Sequence, residues 1–273
     1  MFCSYQGTKK DTALLTLDKF YNDNKGNAFK SNIALILNSL LPAQETFKQT
    51  IVGLGFSMPY IESYHPNNMT SCLIPHHETS TPTNWAEKKI PYAIYDGLSL
   101  PLATNSVDYI IIAHHIELLE YLHQSPDRTM QEIWRVLKST GQIIAIASNQ
   151  TGIFPNPDST PASTAKIYSL VDHIKLLKKN GFEVEYTNYT AFSYRLPSIL
   201  FDPLSNLFEK IGHFLNQYSG GIYGALMGGA YVISARKNLY SCHFKSKPVK
   251  EIISNIAPKN KKATNPYKAL SRK

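Results

Sequence analysis

The sequence predicts an α/β domain built on an open, mostly parallel sheet, and three observations carry that prediction. Val107 to Ala113 is an apolar run long enough to be buried on both faces of a parallel sheet. Thr129 to Leu137 has a helical pattern and Gln142 to Ala147 returns as a second apolar strand, which completes a βαβ unit with its right-handed crossover. The alternation then continues: Ile167 to Lys179 reads as a helix and Phe182 to Tyr189 as a strand.

The remaining elements follow in chain order. Phe29, Ile33, Ile36, Leu37, Leu40 and Leu41 form one apolar helical stripe, ended by Pro42. Thr50 to Gly55 is a short β-branched run that breaks into glycine, and further strands are expected at Cys72 to Ile74 and Tyr92 to Tyr95. Gly141 is the expected stop of the helix that begins at Thr129, and Gly181 that of the helix that begins at Ile167. Ile199, Leu200, Leu204, Leu207, Phe208, Ile211, Phe214 and Leu215 mark an amphipathic helix. Packing against the core is its expected role, with a lid or a membrane-contacting face as alternatives. The apolar stretch Ile222 to Ala235 holds three glycines and is too short to span a bilayer, so its end, Tyr231 to Ala235, reads as the last strand. The chain shows no internal repeat.

With 273 residues, 43% hydrophobic and 18% charged, the chain can bury a full core, which excludes disorder throughout. Lys9 and Lys10 follow the N-terminus without the apolar stretch of a signal peptide, so a cytoplasmic location is expected. Cys3, Cys72 and Cys242 are too far apart for a disulfide framework or a familiar zinc spacing, and free thiols are expected. The net charge of +8 is unevenly placed: residues 237–273 carry ten Lys or Arg against Glu251, leaving a nearly neutral body. The expected organisation is an N-terminal extension (1–27), a folded domain (28–237) and a basic, mobile tail (238–273). Such a tail suits RNA or another anionic surface, but nothing in it supports sequence-selective binding.

Ligands of open parallel sheets bind beyond the carboxyl ends of the strands. Gly53-Leu54-Gly55-Phe56-Ser57 would let the backbone approach a ligand closely there, although a lone GxG equally suits a tight turn. The loops that follow are more specific. Asp96-Gly97-Leu98-Ser99-Leu100-Pro101-Leu102 precedes Val107-Asp108 and its strand, which ends in His114-His115-Ile116-Glu117. The next helix closes on Glu132-Ile133-Trp134-Arg135-Val136-Leu137-Lys138-Ser139-Thr140-Gly141. In order and spacing these segments resemble the class I, type 11 group of S-adenosylmethionine-dependent methyltransferases. Asn149, Gly152, Thr160, Pro161, Tyr168 and Ser169 further resemble a subfamily with a Pro-Asn-Arg-x-Gly loop and a later Tyr-Ser pair before a helix. The resemblance runs from about Tyr21 to Lys237.

The resemblance implies a seven-stranded Rossmann-like sheet with helices on both faces. It also implies S-adenosylmethionine lying across the strand ends. Gly53 and Gly55 would lie near its methionine part and Asp96, Gly97 and Leu98 near the adenine, where a carboxylate can accept the amino hydrogens, with Ser57 and His114 as further cofactor-binding residues. Methyl transfer relies chiefly on orienting the acceptor, with a base added where the acceptor must lose a proton. Two features depart from the family. Gly53 stands where the loop usually carries an acid, and Ser57 and Pro59 replace its later glycines. After the second strand, Cys72-Leu73-Ile74-Pro75-His76-His77-Glu78 lacks the ribose-binding acid, with only Glu78 nearby. Each lost bond to a charged group costs about 1.5 to 3 kcal/mol, so cofactor binding would weaken by about two orders of magnitude.

His115 and Asn149 are candidates for a catalytic or acceptor-orienting role, each set against an ordinary structural one in a loop or turn. His76-His77 and His114-His115 are adjacent pairs whose members point apart on a strand, and no metal site is expected. Trp134 and Arg135 are expected to pack a helix. The sequence thus predicts methyl transfer to an unidentified small or macromolecular acceptor, RNA among them. A non-catalytic scaffold that kept the fold is the alternative.

Overall fold

A computed structural model describes residues 13–41, 48–62, 64, 68–75, 90–96, 99–121, 125–149, 168–193 and 198–239. The chain divides into two compact units, Met1–Ser241 and Cys242–Lys273, and all the described residues lie in the first.

Two helices, α1 (Ala13–Tyr21) and α2 (Asn24–Leu40), precede β1 (Thr50–Gly55), a one-turn α3 (Met58–Ile61), β2 (Met69–Pro75) and β3 (Tyr92–Tyr95). Next come β4 (Val107–Ala113), α4 (His115–Tyr121), α5 (Pro126–Val136), β5 (Leu137–Ser148), α6 (Leu170–Lys179) and β6 (Phe182–Thr190). The described chain closes with α7 (Ser198–Tyr218), α8 (Ile222–Met227) and β7 (Ala230–Lys237). The seven strands form one sheet in the order β3-β2-β1-β4-β5-β7-β6. Its first five strands pair in parallel, and β7 runs antiparallel to both β5 and β6. This is the α/β, mostly parallel, Rossmann-like sheet that the sequence predicts.

Alternation along the strands builds two cores, because successive side chains leave opposite faces. Ile51, Ile111, Ile144, Ile146 and Val232 pack with Phe29, Ile33 and Leu37 of α2. Val52, Leu54, Ile110, Ile112, Ile143 and Ile233 pack instead with Met130, Ile133, Leu176 and Leu177 of α5 and α6. Leu17, Phe20 and Tyr21 of α1 join the first core, so the described part of residues 1–27 packs on the sheet. Ser169 caps α6 by accepting a hydrogen bond from the Asp172 N–H, and Gly181 follows that helix at φ 83°.

Two expectations are corrected. Gly141 lies inside β5 and does not stop α5, which ends at Val136 and passes directly into the strand. The register with β4 jumps there, from Val107 opposite Leu137 to Tyr109 opposite Gln142, so Lys138–Gly141 bulges out of the ladder. Helix α7 exists where the apolar pattern predicts it, but none of its described side chains joins either core. No described helix is long and apolar enough to cross a membrane.

Candidate functional site

Strand β1 pairs with β2 on one side and β4 on the other, which makes the carboxyl ends of β1 and β4 the place where the connections switch direction. At that point Gly55 turns at φ 72° and Phe56 donates its N–H to Ala113 O at 2.8 Å. A Cβ on Gly55 would stand 2.6 Å from Ala113 O and 2.7 Å from His115 Cβ, so both conformation and space require glycine. Gly53 is constrained differently: a Cβ there would lie 2.1 Å from Ser57 Oγ. Ser57 is fully buried and its hydroxyl pairs with Cys72 Sγ at 3.3 Å. The serine therefore fills the volume that an acidic side chain at position 53 would need.

That packing yields a prediction. Gly53→Asp alone is expected to destabilise the fold through collision with Ser57. Gly53→Asp with Ser57→Gly removes the two closest contacts and leaves Cys72 Sγ at 3.1 Å, so the paired variant should recover most of the lost stability. Urea unfolding of both variants checks it, and a paired variant no more stable than Gly53→Asp alone would show that the serine is not what excludes the larger side chain.

Above the switch point runs a buried chain of polar side chains. Tyr60 OH meets Tyr21 OH at 2.5 Å, and Tyr21 OH meets His114 Nε2 at 2.8 Å. His114 Nδ1 lies 2.7 Å from Glu117 Oε2, and the other carboxyl oxygen of Glu117 accepts the Ser148 N–H at 2.9 Å. All four side chains are at most 4% exposed. Phe56 stacks on the Tyr21 ring, and Phe29 packs against the Tyr21 edge and stacks on His114. Burial raises the Tyr60 hydroxyl far above an ordinary tyrosine. His114 itself sits at φ 54°, a left-handed conformation that a non-glycine residue adopts at a cost of about 1 to 3 kcal/mol. Two backbone bonds hold it there, its N–H to Ile146 O and its C=O from Leu118 N.

The other predicted residues are placed as follows. His115 points to the opposite side of the sheet from His114, with Nε2 2.9 Å from Tyr95 OH. It is fully buried, which pushes its pKa down to about 3 and keeps it neutral. Neither His115 Nδ1 nor Ser148 Oγ, both buried, has a partner among the described residues. Asp96 is exposed just beyond β3 and accepts the Ser99 N–H at 2.9 Å. Asn149 is buried at the end of β5, where its amide donates to the carbonyls of Ala225 and Gly228, tying α8 to the sheet. Arg135 binds Glu132 and the carbonyls of Leu100 and Leu102, which fastens the loop before β4 to α5. Gly97, Leu98, His76, His77, Glu78, Gly152, Thr160 and Pro161 lie outside the described residues.

The geometry thus brings Gly53, Gly55, Ser57 and His114 together and leaves Asp96 at the outer end of the same strand edge. It adds Tyr21, Tyr60 and Glu117, to which the sequence reading gave no role. Glu117 lies within the His115-Ile116-Glu117 segment and could have been found by asking which group orients the neighbouring histidine.

Residues 52–145 match the family model described as a methyltransferase domain. No curated protein matches the sequence. Among solved structures, a possible histamine N-methyltransferase from Thermotoga maritima shares 14% identity at TM-score 0.57, covering 83% of this chain and 100% of its own. A phosphoethanolamine N-methyltransferase from Haemonchus contortus, solved with S-adenosyl-L-methionine, shares 17% identity at TM-score 0.53. That match covers 87% of this chain but 61% of the nematode protein, so the chain spans little more than half its length. The [4+2]-cyclase SpnF is similar at 14% identity and TM-score 0.52, over 85% of this chain and 97% of its own. A cyclase on a similar sheet shows that the fold alone does not name the reaction. The strand order and these neighbours give the chain the class I methyltransferase fold, and its segment 52–145 is similar to the methyltransferase domain of that family model.

Proposed function

We propose that the chain is an S-adenosylmethionine-dependent methyltransferase, acting in the cytoplasm on an acceptor that must lose a proton. The observation that carries the reading is His114, strained at the end of β4 and fixed between Glu117 and Tyr21.

The residues fit the cofactor at one end better than at the other. Asp96 offers an exposed carboxylate for an adenine amine, whereas the space beside Gly55 is taken up by Ala113 and His115 of the chain itself. At the ammonium end stands the Ser57 hydroxyl, with no carboxylate at position 53. When bound, the cofactor supplies an electrophilic methyl group on a sulfonium. The chain's own groups manage the proton. Glu117 accepts the Nδ1–H of His114 and so fixes the tautomer in which Nε2 is basic. Tyr21 then passes its hydroxyl proton to Nε2 while taking one from the acceptor, which leaves the tyrosine unchanged and the imidazole protonated.

A second reading rests on the Ser57 packing: a scaffold that kept the fold and gave up the cofactor. Calorimetric titration with S-adenosylmethionine and S-adenosylhomocysteine separates the two. Saturable binding is expected, weakened about tenfold or more in Asp96→Ala. Absence of binding at about millimolar ligand by a protein shown to be folded would favour the scaffold.

A further inference from the structure

Helix α7 is mounted with its polar side inward. Glu209 is buried and accepts hydrogen bonds from Thr190 Oγ1, Ala191 N, Ser193 N and Ser193 Oγ at 2.7 to 3.3 Å. One turn on, Gly212 lies so close to the Phe192 ring that a Cβ would fall 2.3 Å from it. Farther along, Asn216 accepts the Gly224 N–H at 2.9 Å and receives α8 against the same face. Rolling α7 to bury its other side would strip Glu209 of its partners, a cost that fixes the orientation.

The outward side is apolar. Leu207 (52% exposed), Ile211, Phe214 (56%) and Tyr218 (77%) follow one another at helical spacing, and Ile222 of α8 (67%) extends the row. Phe214 and Tyr218 pack ring to ring at 4.5 Å. Between residues 204 and 228 the charged side chains are the buried Glu209 and the exposed Lys210, so no carboxylate faces outward there. Residues 237–273 add ten bases against one acid.

We propose that the α7 and α8 face docks on an anionic lipid surface, with the apolar row entering the headgroup boundary and the basic segment supplying electrostatic attraction. An apolar helix face combined with a polybasic stretch gives the two signals that stable membrane contact requires. Tyrosine and phenylalanine suit that boundary, where one end of a ring is wet and the other dry. Charge favours the bilayer as the occupant: the excess of bases in residues 237–273 is attracted to an anionic surface and finds no opposite charge in a second copy of a nearly neutral body. The inference stands apart from the methyl-transfer reading, since it uses none of the residues at the strand ends.

The test is co-sedimentation of the full chain with phosphatidylcholine vesicles, with and without a minor fraction of phosphatidylglycerol. Binding is expected to the anionic vesicles and to weaken as salt is raised. Ile211→Asp with Phe214→Asp should lower partitioning about a hundredfold while leaving the circular dichroism spectrum and thermal midpoint unchanged, since both side chains are exposed. Lys259→Gln, Lys261→Gln and Lys262→Gln together should lower it about tenfold or more. Failure to bind, equal partition onto the two kinds of vesicle, or binding indifferent to the Asp pair would overturn the proposal. So would a dimer in solution that the Asp pair splits into monomers, which would assign the face to a second copy.

Discussion

A His114→Leu variant is expected to lose about 3 to 5 kcal/mol of unfolding free energy, more than an ordinary surface or helix substitution. The imidazole links two buried partners, Tyr21 on one side and Glu117 on the other, and leucine satisfies neither. A buried polar group left without its bond costs about 1 to 3 kcal/mol, and more where the group carries charge. Leucine also tolerates φ 54° less well than histidine does. His114→Asn separates the causes, because asparagine accepts the left-handed conformation and loses only the side-chain bonds. Tyr60→Phe removes a hydroxyl at the end of the chain and should cost about 1 kcal/mol. Urea unfolding of the three variants measures the gradient, and a loss below about 1 kcal/mol in His114→Leu would mean that the chain of bonds is not formed. Tyr21→Phe probes the chemistry. It keeps the ring packed against Phe56 and Phe29, yet should lower transfer to a proton-losing acceptor by about 100-fold to 10,000-fold. Unchanged transfer would leave Tyr21 a packing residue.

How far the sequence could be read follows from which interactions are local. The strands at Thr50–Gly55 and Val107–Ala113 coincide with the predicted runs, because β-branched and apolar residues buried on both faces leave a continuous signature, and Tyr92–Tyr95 coincides as well although it is an edge strand with three exposed residues. The Gly141 reading failed because a glycine after a helical pattern looks like a cap, whereas here the strand pairing of β5 absorbs it in a bulge. The orientation of α7 was illegible for a related reason. Its apolar period is genuine, but Glu209 finds its acceptor role through Thr190, Ala191 and Ser193 at and after the end of β6, contacts that no periodicity encodes. The site divides in the same way. Gly53, Gly55 and His114 stand on strand ends that the pattern locates. Tyr21 comes from α1, 93 residues before His114, and meets it only in the folded chain. The absence of an acid at position 53 was visible, but its structural counterpart, Ser57 turned back onto Cys72, was not.

Stability should fall steeply as pH drops from about 6.5 to 5, before the carboxylates titrate. The groups responsible are His115, at the start of α4, and His173, in α6, both fully buried. Burial is the cause that lowers their pKa values, to about 3 and about 4. Each has one ring nitrogen near a tyrosine hydroxyl, Tyr95 for His115 and Tyr231 for His173. The other nitrogen, Nδ1 of His115 and Nε2 of His173, has no partner among the described residues, so a second proton would find no acceptor. In the unfolded chain both histidines take up a proton near pH 6.5. Below that value the unfolded state binds more protons than the folded one, and stability declines with pH until the folded pKa values are reached. At about pH 5 each histidine has withdrawn about 2 kcal/mol, or about 4 kcal/mol for the pair, a large share of the total for a single domain. Asp127 and Glu132 also stabilise the fold, through Lys179 and Arg135, but their lowered pKa values place that loss at more acidic pH. Urea unfolding at a series of pH values between about 7.5 and 5 isolates the histidines. His173→Phe should flatten the slope by about 1.4 kcal/mol per pH unit, and a stability that stays level across this window would show that these imidazoles are not held neutral in the folded chain.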